Sequence, residues 1–145
     1  MLVQLSEDAV KRLENIYKKI DDKKKFCSAN CSRCCVDNIE MTYVEFAYLI
    51  KGINEKQIKG LCSKNKKGGC IFLDDKGKCI AYERRPWICR NFRRFENGKC
   101  GSERIHEGEI TDNFIAEMDI TRLNNEVAPA NCKGIRKLRE WFEPC

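Results

Sequence analysis

Apolar residues recur at helical spacing from the start of the chain. Val10, Leu13, Ile16, Tyr17 and Ile20 share one face of a helix predicted over residues 6–24, with Ser6 as its cap and Glu7 and Asp8 in its first turn. The run DDKKK ends it. Further on, Thr42-x-x-Glu45 reads as a capping box opening a helix with Tyr43, Phe46, Ala47 and Ile50 on one face. A short helix carrying Ile58, Leu61 and Cys62 starts at Asn54, with Gln57 placed for a similar reciprocal cap. SKNKKGG is loop.

The pattern then shifts to that of a β-hairpin: CIFL, a DDKG loop, and KCIAY. A four-residue loop sets Leu73 opposite Lys78 and Phe72 opposite Cys79. Cys70 and Cys79 then share a face as a diagonal pair, roughly 7–8 Å apart. A slip of one residue would send them to opposite faces. Pro86 suits a first helical position, so PWICRNFRRF is predicted to form a short helix that brings Cys89 near the hairpin. The tract Ile110–Leu123 gives only a weak helical signal, from Phe114, Ile115 and Met118. GIRKLREWFEP reads as a last amphipathic helix with Ile135, Leu138, Trp141 and Phe142. These elements predict an α+β fold over residues 1–145: a small, mostly helical single domain with a short β-hairpin, organised around a cysteine-ligated metal centre.

Composition sharpens this picture. The chain has 145 residues, 34% of them charged, so its core is thin and its surface strongly solvated. Its start lacks the basic-then-apolar pattern of a signal peptide, and no stretch approaches the roughly 18 apolar residues of a membrane span. A cytoplasmic protein is expected, where clustered thiols hold metal more often than they form bridges. The cysteines number 11, an odd count that excludes full pairing within one chain. The formal charge of +6 counts every cysteine as neutral, whereas metal-bound cysteines are thiolates that offset part of it. The charge is therefore a weak argument for nucleic acid, and a protein partner is the expectation.

Two cysteine groups stand out: Cys27-x3-Cys31-x2-Cys34-Cys35, and Cys70-x8-Cys79-x9-Cys89. Gaps of two or three residues let a loop turn its thiolates onto one centre, a spacing that zinc and iron–sulfur sites share. The one histidine, His106, is remote from both groups, so the donors are thiolates alone. Adjacent Cys34 and Cys35 suit a larger cluster, or two neighbouring centres, better than one small tetrahedral ion. The reading favours a [4Fe–4S] centre, one or two per chain, with zinc as the alternative. Cys27-x3-Cys31-x2-Cys34 also has the spacing of the radical S-adenosylmethionine signature. Those enzymes resemble barrels much longer than this chain and usually place an aromatic where Arg33 stands, so that reading is set aside.

The segments CSANCSRCC and CIFLDDKGKCIAYERRPWICRNF resemble the motifs of the CxxxCxxCC cysteine-cluster family, described as a zinc- or iron-chelating domain. The match involves Cys70, Phe72, Leu73, Cys79, Tyr82, Arg85, Pro86, Cys89, Arg90 and Phe92 in the second motif, and NCKGI around Cys132 near the end. The resemblance covers roughly residues 27–135. It implies Cys132 as a further metal ligand, and Arg85 and Arg90 as groups that hydrogen-bond near an anionic cofactor and tune it. The family includes flagellin lysine N-methylases, much longer chains. Here no glycine-rich S-adenosylmethionine loop is present, so catalysis is left open. The expected roles are electron transfer, cluster delivery or a redox- or methyl-transfer-linked modification system. The alternatives are a structural zinc module for a protein or RNA partner, and a lysine N-methyltransferase-related component.

Overall fold

The computed structural model describes residues 4–21, 39–63, 70–94, 100–102 and 112–143. Helix α1 (Glu7–Asp21) forms where the amphipathic pattern predicted it, and the Ala9 amide donates to the Ser6 hydroxyl at its start. The remainder of the predicted span, 22–24, lies outside the described residues. Strand β1 (Glu40–Thr42) leads directly into α2 (Tyr43–Leu49). The capping box at that junction is complete: the Glu45 amide donates to the Thr42 hydroxyl, and the Thr42 amide donates to the Glu45 carboxylate. Helix α3 (Glu55–Ser63) follows, with Asn54 and Gln57 capping each other through their side chains and amides at 3.0 and 2.8 Å.

The reversal between Cys70 and Tyr82 is present, with a different register from the one expected. It consists of a single antiparallel bridge, Leu73 to Cys79, with the Ile80 amide donating to the Phe72 carbonyl. The cause is Asp74, whose carboxylate accepts the amides of both Lys76 and Lys78 and draws Lys78 into the turn. Gly77 completes that turn at φ 78°, a conformation that favours glycine. Cys79 thus opposes Leu73 rather than Phe72, and the diagonal pairing of Cys70 with Cys79 on one strand face does not form.

A 3-10 turn (Tyr82–Arg84) connects to α4 (Trp87–Asn91), which Pro86 precedes. The helix is shorter than predicted, because the chain after Asn91 becomes strand β2 (Phe92–Arg94), paired antiparallel with β3 (Cys100–Ser102). Helix α5 (Asp112–Val127) is much stronger than its weak pattern suggested. It packs along α1, supported at the surface by the Arg12–Glu126 ion pair at 2.7 Å.

The predicted C-terminal helix is replaced by strand β4 (Ile135–Lys137) and a 3-10 turn (Leu138–Phe142). Gly134, at φ 109°, turns the chain so that β4 pairs antiparallel with β1, Thr42 opposite Ile135. The Leu138 amide then donates to the Ile39 carbonyl, and the Trp141 indole donates to the Met41 carbonyl at 2.9 Å. Ile135, expected on a buried face, is 62% exposed. Long-range pairing prevails here over the local helical pattern.

Helix α2 divides the core into two apolar clusters. Val44 and Tyr48 face one, built with Leu13, Ile16 and Ile20 of α1 and Ala116, Ile120 and Leu123 of α5. Phe46, Leu49 and Ile50 face the other, with Met41, Ile71, Phe72, Leu138 and Trp141. The Phe46 ring stacks on Trp141 and meets Phe142 edge-on, so the C-terminal turn closes the second cluster. Among the described residues no helix is long and apolar enough to cross a membrane.

Candidate metal centre

The second cluster is also where the described candidate ligands sit. Cys70 and Cys132 are buried within it, and Cys79 and Cys89 pack against it. Each is fixed at a turn: Cys70 accepts the Leu73 amide on its carbonyl, Cys79 accepts that of Tyr82, Cys89 donates to Pro86, and Cys132 donates to Pro129. Backbone hydrogen bonding therefore fixes each Cα before any ligand is considered. Cysteines separated by up to 62 positions border one apolar cluster.

The gathering is incomplete as a ligand set. Among the described residues, no three His, Cys, Asp or Glu side chains converge as a group that could hold a metal ion. Cys27, Cys31, Cys34 and Cys35, the first motif, lie outside the described residues, as does His106. Cys70, Cys79 and Cys89 form no disulfide. Cys132 departs from the all-thiol reading: it is half of a disulfide, with a cysteine other than those three. Because the thiolate is the metal-ligating form, Cys132 can ligate only when reduced.

On balance the surroundings of Cys79 hold its proton more tightly than an exposed thiol would. Burial pushes its proton affinity up, while the Ala81 amide donates to its sulfur and the Arg85 and Arg84 guanidiniums pull the other way. Metal binding at this sulfur would displace a proton, and the amide and guanidiniums would then stabilise the thiolate. The donor type, sulfur from Cys70, Cys79 and Cys89 beside one apolar cluster, is the kind that zinc and iron centres take.

Arg85 and Arg90 have defined partners near these cysteines. Arg85 Nε donates to the Tyr82 carbonyl at 2.8 Å, and its guanidinium lies 3.8 Å from the centre of the Tyr82 ring. Arg90 is buried; it donates to the carbonyls of Arg85 and Glu83 at 2.6 and 2.7 Å and stacks over the Tyr17 ring at 4.0 Å. Both thus brace the segment joining Cys79 to Cys89, and Arg85 also acts electrostatically on Cys79.

The sequence reading missed a second role for Glu45. This carboxylate is 4% exposed and accepts from Thr42 on one oxygen and from the Tyr17 hydroxyl and the Trp87 amide on the other. Burial raises its proton affinity, and the four donated hydrogen bonds oppose that rise. The TxxE pattern reveals the first oxygen's role; nothing local reveals the second's.

The fold is thus a small, mostly helical one in which four cysteines distant in sequence border a single apolar cluster. The family profile described as "CxxCxxCC: Putative zinc- or iron-chelating domain" matches residues 26–132, well over half of the chain. The protein is a member of that family. Searches of characterised proteins and of solved structures returned no match.

Proposed function

We propose that this protein binds an iron–sulfur centre of the [4Fe–4S] type through thiolates drawn from Cys27, Cys31, Cys34, Cys35, Cys70, Cys79, Cys89 and Cys132. The proposed role is electron transfer, cluster delivery, or a redox- or methyl-transfer-linked modification system. The observation that carries the reading is the placement of Cys70, Cys79, Cys89 and Cys132 around one apolar cluster. Sulfur donors in apolar surroundings suit iron–sulfur chemistry, and the chain's single histidine leaves little nitrogen for the mixed ligation common at zinc. In this reading the first motif supplies the ligands that the described cysteines alone do not. Such a centre, when bound, supplies one-electron transfer. The protein's part is to hold the sulfurs: the Ala81 amide and the Arg84 and Arg85 guanidiniums offset part of what burial costs a Cys79 thiolate. The reading places the protein in the cytoplasm with a protein redox partner.

A structural zinc module is the second reading, favoured by the burial of Cys70 in the core itself, where bound metal would contribute folding free energy. Electron paramagnetic resonance during potentiometric reduction of anaerobically prepared protein separates the two. A reversible step with a reduced-cluster signal is expected; a silent, colourless protein containing stoichiometric zinc would move the assignment to the structural module.

A further inference from the structure

Glu45 lies at the meeting of α1, α2 and α4. A capping box requires one carboxylate oxygen, which accepts the Thr42 amide. The other receives the Tyr17 hydroxyl at 3.1 Å and the amide of Trp87, 42 residues further along and two before Cys89. From Trp87 the connection continues along α4 to Arg90, whose guanidinium returns to the Tyr17 ring. The circuit Glu45–Trp87–Arg90–Tyr17–Glu45 closes on itself. Arg90 also grips the carbonyls of Glu83 and Arg85, fixing the chain between Cys79 and Cys89.

A buried carboxylate is a costly means of capping a seven-residue helix, since glutamine satisfies the same amide. What glutamine cannot do is accept two donors on its second terminal atom. The Tyr17 hydroxyl can rotate to become an acceptor, but the Trp87 amide cannot. The carboxylate is therefore matched to the Trp87 contact, and that contact sets the start of the turn carrying Cys89.

We propose that Glu45 is a positioning residue for the metal centre, anchoring the Trp87–Arg90 turn so that the Cys89 sulfur is held for ligation, with Tyr17 and Arg90 completing the anchor. The proposal rests on the reading of Cys89 as a metal ligand. It assigns Glu45 no contact with the metal.

The test compares wild type with Glu45→Gln, Arg90→Lys and Arg12→Ala, all purified without oxygen and loaded with Co2+ as a probe of thiolate ligation. The readouts are the cobalt–thiolate charge-transfer band, the rate of cobalt loss to a chelator, and far-ultraviolet circular dichroism. Glu45→Gln retains the cap and so the helical signal, but is expected to lose cobalt at least about ten-fold faster with an altered band. Arg90→Lys should move in the same direction. Arg12→Ala, which breaks only the exposed pairs with Asp8 and Glu126, should match wild type in band and rate. Wild-type rate and band in Glu45→Gln would overturn the positioning role alone. Failure of the wild type to take up cobalt, zinc or iron would overturn the metal reading and this proposal with it. If Glu45→Gln does not fold, Arg90→Lys and Tyr17→Phe decide on the same readouts.

Discussion

Asn124 offers a severe test of how α2 is held. It sits on α5, 2% exposed, and its side-chain carbonyl accepts the Val44 amide at 3.0 Å across 80 residues of sequence. Val44 is in the first turn of α2, where amides have no partner within the helix. Thr42 serves the Glu45 amide, and Asn124 serves that of Val44. Replacing Asn124 with leucine keeps the branched side-chain shape and opens no cavity, but it removes the acceptor from a buried N–H. An unsatisfied buried donor costs about 1–3 kcal/mol. For a chain of this size that corresponds to a fall in Tm of roughly 2–12 °C. Urea unfolding of metal-loaded protein, followed by tryptophan fluorescence, should show a lower midpoint with an unchanged slope. The comparison is Arg122→Ala on the same helix, whose exposed pair with Asp119 at 3.7 Å should matter by at most about 0.5 kcal/mol. Equal stability of the two variants would refute the capping role of Asn124.

Trp141→Phe should destabilise by about 1–3 kcal/mol, because the Met41 carbonyl loses the indole donor and the Phe46 stack is weakened; thermal unfolding would measure it. Burial places the folded-state proton affinity of Glu45 above its unfolded value. Its favourable contribution is therefore complete below the ordinary glutamate range and lost as pH rises through the raised folded value. Urea midpoints taken upward from the ordinary glutamate range should show wild type losing ground to Glu45→Gln as pH rises, and parallel curves would contradict the assignment. Cys79→Ser and Cys89→Ser should each lower metal content, measured by elemental analysis, whereas Cys62→Ser and Cys145→Ser should leave it near wild type.

What the sequence conveyed was local. The cap at Ser6, the Thr42–Glu45 box and the Asn54–Gln57 pair depend on contacts between residues three apart, and all formed as read. Failures came where distant partners decide the outcome. Residues 135–142 carry a helical pattern, yet β1 and Met41 draw them into a strand and a tight turn. The amphipathic signal of α5 is weak, but α1 and α2 supply its buried face. The register of the Cys70–Tyr82 reversal depended on the Asp74 side chain, whose two amide contacts add one residue to the turn.

The candidate site was legible in its elements rather than its assembly. Spacing identified Cys70, Cys79 and Cys89, and the family resemblance added Cys132; the structure places all four on one cluster. Arg85 and Arg90 were read as cofactor-tuning groups, while their described contacts are with carbonyls of the same segment, the Tyr82 ring and the Tyr17 ring of α1. Glu45 was read as a cap only. Its link to Trp87 spans 42 residues and leaves no periodic trace.

The most direct measurement is the metal and acid-labile sulfide content of protein purified without oxygen, taken with its visible absorption. The account predicts brown protein with iron and sulfide in equal amounts near four per chain, or near eight if two clusters are held. Colourless protein containing no iron, sulfide or zinc would contradict it.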